Sequence, residues 1–341
     1  MTATAPTEPE TSMTLPRIAV AEGALAGLDD LIDGLRGTAE VRTGPVGTPD
    51  EVAALTDGAD GLVVSLQRLT DAHIAALGRS VRVIGRAGVG LDTIDLDAAR
   101  ARSVAVVYQP DYATNEVADQ AMALLLGAHR RVVQADRAVR EQGWCGGTDL
   151  GPIPALQECT AGVVGTGRIG RAVIARIRPF VRDVLAYDVV DSSPGEDFER
   201  VSDLGELLRR AHVVSLHVPL TPDTHHLIDA GRLRRMPPGA VLVNVSRGGL
   251  VDEAALAAAL HAGIIGAAGL DVFEQEPLPA DSPLRDAPNL VLSPHIAWYS
   301  SESAPRLASR TMTDVLAVTL GNRPEHGSFA VDPQRPAVAA S

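Results

Sequence analysis

The first part of the chain alternates between short runs of Val, Ile and Ala and stretches whose apolar positions recur at helical spacing. Apolar runs bounded by Gly, Asp and Pro read as parallel strands buried on both faces, and the stretches between them as crossover helices. Ile18–Val20, Gly61–Leu66, Val81–Ile84 and Val104–Val107 are the expected strands, with helices near Leu25–Leu35, Asp50–Leu55 and Asp71–Leu77. A long amphipathic helix is expected from about Asn115 to Glu141, with Val117, Ala121, Leu124, Ala128 and Val132 on one face. The Gly- and Pro-containing stretch Gly143–Pro154 breaks that pattern and reads as a linker. A second alternation then begins at Cys159. Its strands are Ala161–Val164, Asp183–Tyr187, Val213–Val218, Ala240–Val245, Ile264–Leu270 and Asn289–Leu292. Two successive alternations of this kind predict two doubly wound α/β sheets. A last helix, about Ser301–Gly321, follows the final strand and is expected to return to the first sheet.

A length of 341 residues agrees with two domains, because single cores stop growing near roughly 250 residues. A net charge of −13 argues against a nucleic-acid-binding role, which needs basic stripes. The sequence contains no lysine, so all 30 cationic side chains are arginines. That excludes Schiff-base chemistry, a P-loop lysine and any Tyr-x-x-x-Lys dehydrogenase site. Two cysteines, Cys145 and Cys159, support neither a disulfide framework nor a metal site, and fit a reducing compartment. No apolar run approaches the roughly 18 residues that span a bilayer, and the first residues lack the pattern of a secretory signal. The expectation is a cytoplasmic protein with disordered tails at 1–16 and 326–341.

Gly165-Thr166-Gly167-Arg168-Ile169-Gly170 follows the strand Ala161–Val164 and opens a helix. Its glycines suit a tight turn, close backbone approach to a pyrophosphate, and close helix–strand contact. The helix N-terminus supplies N–H groups to the phosphates. Asp188 ends the next strand, where a carboxylate accepts hydrogen bonds from a ribose diol. A carboxylate there repels a 2′-phosphate, and Val189-Val190 bring no arginine to neutralise one. The expected cofactor is therefore NAD, bound in a Rossmann domain.

Three charged residues stand at strand ends in the same half: Arg247, Glu276 and His295. Reduction of a 2-oxo acid needs an anchor for the carboxylate, which a guanidinium provides bidentately. It also needs an acid for the developing alkoxide, a role that imidazole fills near neutral pH. A carboxylate bonded to that imidazole stabilises its protonated form and fixes its orientation. Each residue has a plainer alternative: a structural histidine, a solvated loop acid, a turn arginine. Spacing alone does not bring them together.

The segments Gly85–Asp95, Gly165–Gly170, Asn244–Asp252, Gly269–Pro277 and Ser293–Trp298 occur in the order found in the D-isomer-specific 2-hydroxyacid dehydrogenases. The chain resembles that family from about Arg17 to Gly321. The resemblance implies that Arg247 is the substrate arginine, His295 the general acid–base and Glu276 its supporting acid. It implies that Gly88, Val89 and Gly90 offer backbone N–H groups to the substrate carboxylate, and that Asp271 contacts the nicotinamide carboxamide. Val218 to Thr224, including Pro219, and Val245 would line the cofactor. The implied architecture is a Rossmann NAD-binding domain, 115–296, inserted into a flavodoxin-like substrate domain, 17–114 with 297–325. The catalytic cleft would lie between them, in a homodimer joined through the NAD-binding domains and the long helix after Asn115.

Arg86 before Ala87-Gly88, the run His295-Ile296-Ala297-Trp298-Tyr299-Ser300, and Asp286-Ala287-Pro288-Asn289-Leu290 are similar to the C-terminal-binding protein branch. On that basis Arg86 and Trp298 are expected at the substrate. Two alternatives stay open: an NAD(H)-sensing, corepressor-like scaffold with little catalysis, and a short phosphoglycerate dehydrogenase.

Overall fold

The computed structural model describes residues 14–190 and 198–334. Residues 1–13 and 335–341, parts of the two expected tails, and residues 191–197 lie outside that range. The strands, in chain order, are β1 (Arg17–Ala21), β2 (Glu40–Gly44), β3 (Gly61–Val64), β4 (Val83–Arg86), β5 (Ala105–Tyr108), β6 (Thr160–Val164), β7 (Asp183–Tyr187), β8 (Glu199–Arg200), β9 (Val213–Leu216), β10 (Val241–Asn244), β11 (Ala267–Leu270), β12 (Leu290–Leu292) and β13 (Ser328–Val331). They form two sheets in two compact units. One unit combines the chain up to Tyr112 with the chain from Ala304 onward; the other is Ala113–Ser303.

The first unit's sheet has the order β13-β5-β4-β3-β1-β2, parallel except for β13. Its parallel part is the flavodoxin-type 2-1-3-4-5 order. The helix Ser303–Thr319 packs on this sheet, and glycines make room for it. A Cβ at Gly85 or Gly61 would sit 2.3 or 2.8 Å from Val315. The second unit's sheet is all parallel, in the order β12-β11-β10-β9-β6-β7-β8. The order reverses between β6 and β9, and the crevice beyond the carboxyl ends of the strands at such a reversal is where α/β sheets bind ligands. Strands β6, β9, β10 and β11 are buried along their whole length, and the second unit's core clusters lie on the two faces of the sheet.

Two expectations need correction. The long helix is two, Thr114–His129 and Val132–Gln142, because Arg131 takes a left-handed conformation, φ 58°, and turns the chain. Val132 therefore leaves the apolar stripe of the first helix and is 55% exposed. The segment read as a tail from 326 contains β13. Its approach is fixed by the buried Asp314, whose carboxylate accepts the N–H groups of Glu325, His326 and Gly327 at 2.7, 2.9 and 2.7 Å. Gln109 donates to the same carboxylate at 2.6 Å. Among the described residues no helix is long and apolar enough to cross a membrane.

Candidate active site

The glycine turn after β6 is packed tightly on one side and open on the other. Gly165 has φ 96°, and a Cβ there would lie 2.6 Å from the His217 carbonyl oxygen just beyond β9. A Cβ on Gly170 would lie 2.0 Å from the Gly165 oxygen, while one on Gly167 would meet nothing within 4 Å. Gly167 caps the helix Arg168–Ile177, with Arg168 exposed and Ile169 half-buried against the core. A phosphate can therefore approach the bare backbone from the open side, at a helix N-terminus. These residues fit a dinucleotide.

Asp188 follows β7 and accepts from the Thr166 N–H at 2.6 Å, the Thr166 hydroxyl at 3.0 Å and the Val190 N–H at 2.9 Å. Burial works against its ionisation, but these bonds and Arg200 outweigh it and hold the carboxyl below its usual range. Arg200, on β8, donates to the Asp188 and Val190 carbonyls at 3.3 and 3.1 Å. Arg200 stands twelve residues beyond Asp188, so the two valines that follow the carboxylate give no sign of it. In the loop beyond β9, Thr224 donates to the Pro219 carbonyl at 2.7 Å and accepts from the Thr221 N–H at 2.8 Å, which closes the turn that begins at Val218. Val245 is buried just beyond β10.

Beyond the ends of β11 and β12 in the same sheet, the structure brings His295 and Glu276 together, with Nδ1 2.6 Å from Oε2. The other Glu276 oxygen accepts the Phe273 N–H at 3.0 Å. Burial raises the Glu276 pKa, but the bond to His295, the His295 charge, the Phe273 N–H and the nearby Arg247 outweigh it and bring it below its usual range. The carboxylate thus stays ionised at neutral pH. Arg247, beyond β10, is part-buried and donates to the Ser246 carbonyl at 2.8 Å. Its loop is braced by the buried Asn244, whose amide donates to the Arg247 carbonyl at 2.7 Å and accepts the Ser246 N–H at 3.0 Å. Asn244 was not singled out from sequence, although an Asn two residues before a Ser at a strand end is a turn signal.

His295 is itself left-handed, φ 54°, an unfavourable conformation for a residue with a side chain. The wholly buried Asp271 holds it there. Its carbonyl accepts the His295 N–H at 2.7 Å, and its carboxylate accepts Ser293 Oγ, Ile296 N–H and Ala297 N–H at 2.5, 3.1 and 2.8 Å. Trp298 adds a bond from its indole N–H to the His295 carbonyl at 3.1 Å, and belongs to the second unit. His217 is no rival as acid–base group. Burial pulls its pKa down to about 3, so it is neutral at physiological pH, and its Nε2 contacts Ser215.

In the first unit, Arg86 ends β4 and is buried. Its guanidinium bonds the Ala87 carbonyl and lies over Gly88, where φ is 137° and a Cβ would be 1.8 Å from Nη1. At that φ a residue with a side chain is strained, so glycine suits the position. Val89 and Gly90 follow at the surface of this strand end.

Residues 122–297 match the NAD-binding domain of the D-isomer specific 2-hydroxyacid dehydrogenases. The glyoxylate reductase of Korarchaeum cryptofilum is 42% identical over 274 residues, 78% of this chain and 81% of that protein. The chain belongs to the D-isomer specific 2-hydroxyacid dehydrogenase family. The D-3-phosphoglycerate dehydrogenase of Mycobacterium tuberculosis is 38% identical over 315 residues, covering 91% of this chain, which spans only 58% of that longer protein. Among solved structures, the TT0316 protein of Thermus thermophilus superimposes with a TM-score of 0.82 at 36% identity, covering 91% of this chain and 99% of that one. A glyoxylate reductase from Paecilomyes thermophila gives 0.83 at 28% identity, with coverage of 94% and 99%. As a member of this family the chain carries an NAD-binding domain of Rossmann type, and the glycine cradle and Asp188 lie within it.

Proposed function

We propose that the protein reversibly reduces a small 2-oxo acid to the D-2-hydroxy acid with NADH. The observation that carries this reading is the 2.6 Å His295–Glu276 pair beside the guanidinium-bearing loop of Arg247, at the strand ends that hold the dinucleotide cradle. Bound NADH supplies the hydride for the carbonyl carbon. Arg247 grips the substrate carboxylate and orients the ketone. Gly88, Val89 and Gly90 lie in the first unit, where their backbone N–H groups suit a carboxylate. His295 presents Nε2, the nitrogen not engaged by Glu276, and gives its proton to the oxygen as the alkoxide develops. Glu276 stabilises the imidazolium beforehand, and the reverse reaction returns the proton to neutral imidazole.

This arrangement predicts a pH effect. Glu276→Gln removes the ionised carboxylate that faces His295 Nδ1 and favours a charged ring. Reduction uses that charged ring, so the alkaline limb of its kcat/KM profile should move to lower pH. Initial rates across the pH range check this; an unmoved limb removes Glu276 from the acid–base role.

Asp188 supports a preference for NADH over NADPH, with Arg200 as the cation that would have to accept a 2′-phosphate. Expected kcat/KM favours NADH by roughly 100-fold, and Asp188→Ala narrows that gap by easing charge repulsion. Equal use of both cofactors by the unmodified protein contradicts the assignment.

The substrate reading follows the motifs shared with the C-terminal-binding protein branch. Trp298 serves as a wall for the substrate side chain. Such a wall favours apolar 2-oxo acids with four or more carbons over 3-phosphohydroxypyruvate, whose phosphate needs further cations. NADH oxidation measured over a panel of 2-oxo acids tests both the reaction and this preference. Trp298→Ala should cost the longer apolar acids more than glyoxylate, and an equal loss for both makes Trp298 structural. No turnover of any 2-oxo acid would favour the NAD(H)-sensing alternative. We also propose a homodimer through the helix Val132–Gln142 and the residues just after it, where Val132, Val133, Val139 and the 79% exposed Trp144 leave apolar surface bare. Sedimentation equilibrium at micromolar concentration reads the state directly, and a monomer refutes it.

A further inference from the structure

His226 and Glu274 lie outside the acid–base pair, yet they connect the loops that carry its parts. His226 is left-handed, φ 49°, and its backbone N–H donates to the Gly249 carbonyl at 2.7 Å, on the loop that begins with Arg247. Its ring Nε2 lies 3.0 Å from Oε1 of Glu274, on the loop that carries Glu276. Glu274 is in turn fixed to the start of the helix Glu253–His261. Its N–H donates to the Glu253 carboxylate at 2.7 Å and its own carboxylate accepts the Glu253 N–H at 3.3 Å. Between these bonds the two loops touch backbone to backbone: a Cβ on Gly248 would lie 1.8 Å from the Phe273 carbonyl carbon. At that point of contact the Phe273 N–H holds Glu276.

We propose that His226 and Glu274 form a brace that sets the Glu276 loop against the Arg247 loop, and so fixes the acid–base pair relative to the carboxylate anchor. The inference rests on the roles proposed above for Arg247, Glu276 and His295. Both are positioning residues, acting through the loops rather than on the substrate. Glu253, Glu274 and Glu276 crowd one region, and burial together with the charges of Glu274 and Glu276 pushes the Glu253 carboxyl above its usual range. The ring of His226, stacked on His225 at 4.0 Å, gives one of these carboxylates a donor. The His226 and Glu274 side chains are 34% and 38% exposed, so their bond adds little to global stability. Misplacement of a reacting group by about 1 Å is nonetheless felt strongly in rate.

The test uses Glu274→Ala and His226→Gly, the latter keeping the left-handed backbone, each in the unmodified enzyme and in Glu276→Gln. The substrate is the 2-oxo acid that the unmodified enzyme reduces fastest with NADH. In the unmodified background each variant should lower kcat about tenfold, leave KM for NADH unchanged and move Tm by no more than about 2 °C. In the Glu276→Gln background the same changes should cost less than about twofold, because residues acting through one group are not additive. His226→Asn, which tolerates the left-handed region and retains a donor, should lose less of the rate than His226→Gly. A second full loss in the Glu276→Gln background, or a Tm drop accompanied by weaker NADH binding, overturns the brace. If Glu276→Gln by itself has no effect, the reading of the site fails, and the brace fails with it.

Discussion

Replacing His295 with Ala is expected to lower kcat for 2-oxo acid reduction by roughly 10²–10⁴-fold, the range for loss of a positioned general acid. The KM for the acid should change only a few-fold, because Arg247 is the proposed anchor of the carboxylate. Arg247→Ala should fail differently. It removes the proposed charge-assisted contact to the substrate, and KM should rise by roughly 10- to 100-fold along with a fall in kcat. The contrast separates chemistry from binding, and steady-state kinetics of the two variants read it directly. The prediction depends on the left-handed turn at His295. Asp271 fixes that turn through the His295, Ile296 and Ala297 N–H groups, so the imidazole reaches Glu276 with little freedom to lose. An unchanged kcat for His295→Ala would remove the acid–base assignment altogether.

The second large effect is expected at Gly170. Its missing side chain is what lets the first turn of the helix Arg168–Ile177 press against the glycine loop, since a Cβ would stand 2.0 Å from the Gly165 oxygen. That neighbour is backbone, so no rotamer change relieves the clash and the loop itself must move. Gly165 cannot retreat, because its own face is closed by the His217 carbonyl. Displacement costs at least about 2 kcal/mol, so Gly170→Ala should weaken NADH binding by roughly 30-fold or more. Gly167→Ala is the matched control. A Cβ there meets no protein atom within 4 Å, so the fold is untouched, and any loss of NADH affinity reports the closeness of the bound phosphate. Nicotinamide fluorescence titration of both variants distinguishes them. Equal, unaltered affinity in Gly170→Ala would show that the cofactor does not sit on this turn.

The elements legible in the sequence were those whose strands are buried on both faces. β3, β4, β6, β9, β10 and β11 are largely apolar runs because helices cover both sides of a parallel sheet. The edge strands β2, β8 and β13 escaped notice. Glu40–Gly44 and Glu199–Arg200 are polar and mostly exposed, since an edge needs only one neighbour and tolerates water on the other side. Ser328–Val331 joins its sheet because Asp314 collects three distant N–H groups, a bond set with no local pattern. The break at Arg131 was hidden for a related reason: its residue type does not announce a left-handed backbone.

The site divides along the same line. Composition and pattern determined which chemistry was available: no lysine, a glycine turn between strand and helix, and Arg, Glu and His at strand ends. These are local facts, because strand–turn–helix order fixes where a turn lies and residue type fixes what it can do. Tertiary structure decided which groups meet. The 2.6 Å contact between Glu276 and His295, the arrival of Arg200 beside Asp188, and the links from His226 to two separate loops all join residues distant in sequence. Such contacts depend on how successive strand ends line up along one edge of a sheet, and neither periodicity nor spacing encodes the lateral order of parallel strands.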